Sequence, residues 1–104
     1  MKVNSQKNSM LFILEKNDTP SSLNSEISKK DYLNSNIIID LSRVVIIDFF
    51  SLLKSFSKKH KHKSFVIVID NIDCSKQDLN LIPTVQEALA YIDLEEIERD
   101  LNLL

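Results

Sequence analysis

Glycine is missing altogether from this chain of 104 residues. Gly-rich phosphate loops depend on backbone freedom that only glycine supplies, so nucleotide binding of the Walker or Rossmann type is excluded. There is a single cysteine, Cys74, which cannot form an internal disulfide and so fits a reducing compartment. Long apolar runs are also missing: segments such as Met10–Leu14 are far shorter than the ~20 residues needed to span a bilayer. No apolar stretch follows the basic residue in the opening MKVNSQKNSM, so a signal peptide is not expected and a cytoplasmic location is. Charge of either sign is nearly balanced, with a formal net charge of -2 and a pI of about 5.6. Bulk charge therefore points to neither nucleic acid nor a membrane surface.

What is present describes a globular protein. Hydrophobic residues make up 43% and charged residues 27%, and the length suits one domain over 1–104. Met10–Leu14 (MLFIL) reads as a strand, and Met1–Gln6 as an edge strand paired with it. Asp18-Thr19-Pro20-Ser21 has the form of a helix start with proline in the first turn. That helix would turn Leu23, Ile27 and Tyr32 or Leu33 inward. Asn36–Leu41 (NIIIDL) and Ser64–Asp70 (SFVIVID) are short and rich in β-branched residues, as buried strands are.

Between these strands the spacing predicts a helix from about Ile47 or Asp48. Its stripe of Phe49, Leu52, Leu53 and Phe56 falls at i, i+3, i+4 and i+7. The polar stretch Asn71–Asp78 reads as a loop and Leu79–Ile82 as a last short strand, closed by Pro83. Thr84 with Glu87 fits a capping box, and Asp93 with Glu96 repeats the pattern, so two final helices are expected. The first would bury Val85, Ala88, Leu89 and Ile92. The second would carry an apolar face of Leu94, Ile97, Leu101 and Leu104, which either folds back on the sheet or docks on a partner. The predicted order is β-β-α-β-α-β-β-α-α. It implies an α/β fold with a central mixed sheet of about four to five strands and helices packed on it.

The segment Ile37–Lys54, IIIDLSRVVIIDFFSLLK, resembles the central motif of STAS domains, the bacterial anti-sigma-factor antagonists. In that family a hydrophobic strand ends in D-L-S, an apolar crossover follows, and I-D-S-S-G-L opens a helix. Asp40-Leu41-Ser42, Ile47-Asp48 and Leu52 match. The resemblance implies a STAS-like scaffold that binds another protein. The family's switch is a serine phosphorylated at the helix N-terminus. Here Phe49 and Phe50 take the serine positions and Ser51 the glycine position, one residue further round the helix. The implied phosphoswitch is lost, and the implied contact surface is Asp48, Phe50, Ser51 and Lys54. The tail Leu81–Leu104 is also similar to the end of short bacterial proteins that carry a ribonuclease Z label. The zinc nuclease of that name needs H-x-H-x-D-H and further ligands, whereas this chain has two histidines in all.

Other residues that could carry chemistry each have a plainer reading. Lys58, Lys59, Lys61 and Lys63, within KKHKHK, could contact RNA or phosphate. Equally, they suit the negative end of a helix dipole. His60 and His62 lie two apart and do not share a helix face, so a solvated basic helix end is expected and a metal is not. Asp40 and Asp48 could act as an acid–base pair, but a strand end and a helix cap explain them. Asp70 and Asp73 follow a strand, where open α/β sheets bind ligands. Acidic neighbours hold Cys74 away from a reactive thiolate. No catalytic set, cofactor or metal is expected. The leading reading is a non-catalytic protein-interaction module, with an RNA-associated or ribonuclease-accessory protein as the alternative.

Overall fold

The computed structural model describes residues 1–69 and 79–102. Five strands form one mixed sheet in sequence order: β1 (Lys2–Ser5), β2 (Ser9–Ile13), β3 (Asn36–Asp40), β4 (Phe65–Val68) and β5 (Leu81–Ile82). The β1–β2 pair is antiparallel and the three other pairings are parallel. Three α-helices, α1 (Pro20–Ile27), α2 (Phe50–Lys59) and α3 (Val85–Asn102), complete the α/β domain. The expected loop Asn71–Asp78, with Asp73 and Cys74, and the residues Asp70 and Leu104 lie outside the described residues.

Side chains alternate across a strand, and both faces of this sheet are covered. Phe12, Ile37, Ile39, Phe65 and Ile67 form one core with Leu23 and Ile27 of α1 and Leu53 of α2. On the opposite face Leu11, Ile38, Val66 and Val68 pack against Ala88 and Ile92 of α3. Burial on both sides is why β3 and β4 read as unbroken apolar runs. Burying each such isoleucine or valine stabilises the fold by about 1.5–3 kcal/mol.

The first helix begins where its sequence signals. The Ser22 N–H donates to Thr19 Oγ1 at 3.2 Å and the Thr19 N–H donates to Ser22 Oγ at 2.9 Å, with Pro20 at the helix start. Tyr32 turns inward and meets the Phe12 ring edge-on at 5.1 Å, while Leu33 stays exposed. The second helix starts later than expected. A 3-10 turn over Ile46–Phe49 precedes α2, and no side chain caps it. Asp48 is therefore not the cap. The chain leaves the crossover already in a tight helical turn, so the first amides are positioned by backbone geometry.

The two expected C-terminal helices are one. Thr84 Oγ1 accepts the Glu87 N–H at 3.1 Å and starts α3, which continues unbroken through Asp93 to Asn102. Neither glycine nor proline interrupts Val85–Asn102. The Asp93 carboxylate accepts from the Asn8 side chain at 2.6 Å, far along the sequence.

Leu94, Ile97 and Leu101 do not fold back on the sheet but stay exposed. The sheet beneath this half of α3 is polar. Ser9, Asn36 and Ser64 are buried at the strand starts, with Ser9 opposite Asn36 in the β2–β3 register. The Asn36 amide nitrogen donates to Glu96 Oε1 at 2.6 Å and to the Asn8 carbonyl at 2.8 Å. Its oxygen accepts the Ser64 N–H at 2.8 Å and Arg99 Nη2 at 3.2 Å. Arg99 Nη1 also donates to Ser64 Oγ at 3.1 Å. Glu96 and Arg99 must face this row, and the apolar Leu94, Ile97 and Leu101 are turned outward.

Asn36 is only 2% exposed, and its removal leaves several buried groups short of a partner. Asn36→Ala is expected to cost about 2–4 kcal/mol, read as a lower midpoint in urea unfolding with an unchanged slope.

Candidate functional site

The implied contact surface lies at the N-terminal end of α2, by the C-terminal ends of the parallel strands. This is the edge where open α/β sheets usually meet their ligands. Asp48, Ser51 and Lys54 are exposed there. Phe50 is half-buried and packs on the core shared with α1 and α2, while Phe49 is fully inside. The phenyl ring of Phe50 thus serves the core and leaves only part of its surface at the rim.

More apolar surface comes from the turn that leads into α2. Val45 is 64% exposed and Ile47 is 68% exposed. Val44 packs on the core and Phe49 is buried in it, which anchors the turn at both ends and leaves these two side chains outside. The signal was the run Val44-Val45-Ile46-Ile47: a tight turn cannot face four consecutive apolar residues inward. A shallow cleft of about 490 Å³ opens beside them, lined by Lys16, Asp18, Ser42, Arg43, Val45 and Asp48.

The polar residues at this edge have local work. The Asp40 carboxylate accepts the Ser42 N–H at 2.9 Å and closes the turn after β3. Arg43 Nη1 donates to both Glu15 oxygens, at 3.0 and 3.1 Å, and ties that turn to the segment before α1. Asp40 and Asp48 therefore belong to different tasks, turn closure and exposed rim.

The lysine cluster sits at the other end of the helix. The ten residues of α2 span about 15 Å, so the two surfaces are separated by its length. Lys58, Lys59 and Lys61 are exposed. Lys63 is half-buried and reaches toward Glu96, with Nζ 3.8 Å from Oε1. The Glu96 carboxyl is held below its usual range, chiefly by the Asn36 hydrogen bond, against the effect of burial and with help from Arg99 and Lys63.

His60 is not part of a solvated basic end, contrary to the reading of KKHKHK. Its ring is buried, stacks on Phe56 at 5.2 Å and lies 6.4 Å from Phe65. Nε2 is 2.7 Å from the Ser35 carbonyl. A carbonyl only accepts, so that nitrogen carries the hydrogen. His62, by contrast, is exposed. Among the described residues no three His, Cys, Asp or Glu side chains converge as metal ligands would. Nor is any helix among them long and apolar enough to cross a membrane.

A second cleft of about 490 Å³ opens at the N-terminal strand ends, between the β1–β2 turn, Asn36, Lys63 and Glu96. It shares its floor with the Asn36 hydrogen bonds and so borders a structural joint. Comparison with family models, curated proteins and solved structures returns no match.

Burial lowers the His60 pKa from its ordinary value of 6.5, against the Ser35 hydrogen bond and assisted by His62. With a folded-state value below the unfolded one, stability is fully present above the unfolded value. It falls as pH drops through that value toward the folded one. The chain is therefore expected to lose stability as pH falls below the ordinary histidine value of 6.5, and His60→Phe, which keeps a ring there, should lose less over the same fall in urea titrations.

Proposed function

We propose that the protein is a non-catalytic interaction module that binds another protein through the N-terminal end of α2 and the turn before it. The observation that carries this reading is the pair Val45 and Ile47. Two β-branched side chains, each about two-thirds in water, stand on a short turn anchored by Val44 and Phe49. Asp48, Ser51 and Lys54 are exposed around them. An apolar centre with a polar, charged rim is the usual anatomy of a protein-binding patch. Scattered exposed hydrophobic residues need no explanation, but these two stand two residues apart on one turn anchored by Val44 and Phe49.

The resemblance of Ile37–Lys54 to the STAS motif supports the same location, since that family meets its partners at the corresponding helix start. With Phe49 in the core and Phe50 packed on it, the binding we propose is constitutive and not gated by phosphate.

A second reading, an RNA-associated or ribonuclease-accessory protein, draws on the exposed Lys58, Lys59 and Lys61. Contacts of this kind release counterions and weaken steeply with salt.

Affinity capture from the protein's own lysate, with wild type beside Ile47→Ser and Lys54→Glu, tests the first reading. A stoichiometric protein retained at high salt should be lost with Ile47→Ser, corresponding to a penalty of about 1.5–3 kcal/mol, while thermal unfolding stays unchanged. Retention by Ile47→Ser would refute this surface. RNA that elutes with salt, and is lost when Lys58, Lys59 and Lys61 become Gln, would favour the second reading.

A further inference from the structure

The outward face of α3 is organised as a helix-pairing seam. Leu94, Ile97 and Leu101 are 61%, 55% and 62% exposed, and they fall at i, i+3 and i+7. At about 100° per residue they form a single stripe, opposite Ala88 and Ile92, which are buried against the sheet. The exposed Ala90 extends the stripe by one turn toward the helix start. Alternating steps of three and four are the spacing of a coiled-coil seam.

The flanks of the stripe decide what can lie on it. In that register the residues beside the seam are Asp93 and Asp100 on one side and the half-buried Tyr91 with Glu98 on the other, and the three acids are exposed. Among the described residues no cation pairs with these acids. Arg99 is the single basic residue in the α3 sequence, and Glu96, Ser64 and Asn36 hold it on the inner face. A second copy of this helix would bring carboxylate against carboxylate in either orientation, parallel or antiparallel, which disfavours pairing. A helix with lysine or arginine at its flanking positions would meet these carboxylates with opposite charge and cover the leucines and isoleucine with its own seam.

We propose that the outward face of α3 docks a basic amphipathic helix of another protein. This surface lies on the opposite side of the sheet from α2, and it stands whether or not the turn at Val45 and Ile47 binds a partner. Part of the acidic flank is already fixed: the Asn8 side chain holds the Asp93 carboxylate at 2.6 Å. The helix itself runs unbroken from Val85 to Asn102, so the seam enters binding already formed, with little ordering left to be lost.

The test uses the full chain and two synthetic helical peptides with identical leucine seams, one flanked by lysine and the other by glutamate. Binding is read by fluorescence anisotropy at low and physiological ionic strength. The lysine-flanked peptide should bind at least about tenfold more tightly, and Leu94→Ala with Ile97→Ala should reduce that binding by about tenfold or more. Far-UV circular dichroism of this variant should be unchanged, because both side chains are exposed in the free chain. Glu98→Lys with Asp100→Lys should reverse the peptide preference without touching the Asn8 contact. Equal binding of the two peptides, or binding that survives loss of Leu94 and Ile97, would overturn the proposal. So would a neutral-pH dimer in sedimentation that Leu94→Ala with Ile97→Ala abolishes, because the occupant would then be a second copy.

Discussion

Asn36 opens the central strand and uses both ends of its side-chain amide. The nitrogen reaches Glu96 and the β1–β2 turn, while the oxygen collects the Ser64 N–H and Arg99. One buried amide thus joins β2, β3, β4 and α3 at a single point. Hydrogen bonds of this kind contribute modestly each, but leaving a buried partner unpaired is costly. The joint therefore specifies position more than it adds raw stability. Hydrophobic packing of Ala88 and Ile92 would hold α3 against the sheet with some freedom to rotate. Glu96 and Arg99, about one and two turns beyond Ile92, remove that freedom.

Much of the surface follows from this constraint. Because the sheet under the second half of α3 is a row of Ser9, Asn36 and Ser64, that half must present polar residues inward. Its leucines and isoleucine are left in water as a stripe with acidic borders. On the other face α2 is anchored differently, with Phe49 and Leu53 in the core at its start and His60 stacked on Phe56 beyond its end. The helix is held at both ends, so the turn that leads into it is held too. Val45 and Ile47 are exposed on a fixed support, as an interaction surface requires. The domain offers two unlike surfaces, one on each side of its sheet, and the sheet sets their relative placement.

The strands and the α1 and α2 stripes were legible because they obey local periodicity. Ile37–Ile39 and Phe65–Ile69 could only be buried, and Phe49, Leu53 and Phe56 could only share a face. Thr19-Pro20 announced a helix start that the structure contains. Where the reading failed, the deciding partner was distant in sequence. Asp93 with Glu96 looked like a cap, but Asp93 answers to Asn8 and Glu96 to Asn36. His60 sat in a basic run and was read as solvated, yet Phe56, Phe65 and Ser35 enclose it. Asn36 and Ser64 looked like strand boundaries, and nothing local marks them as a joint. Val45 and Ile47 carry no periodic signal of their own, and a tight turn cannot bury a whole apolar run, so their exposure was not legible from spacing alone.

The functional reading depends on the same geometry, since the α3 seam faces outward only while Glu96 and Arg99 are held inward. The most direct test of that constraint is a double-mutant cycle in urea unfolding, with Asn36→Ala, Glu96→Ala and the pair. Residues in one hydrogen-bonded network couple, whereas independent sites add to within about 0.3–0.5 kcal/mol. A coupling energy of about 1 kcal/mol or more is the result predicted here. Additivity within that limit would contradict the account, because Asn36 would then not be the joint that orients α3.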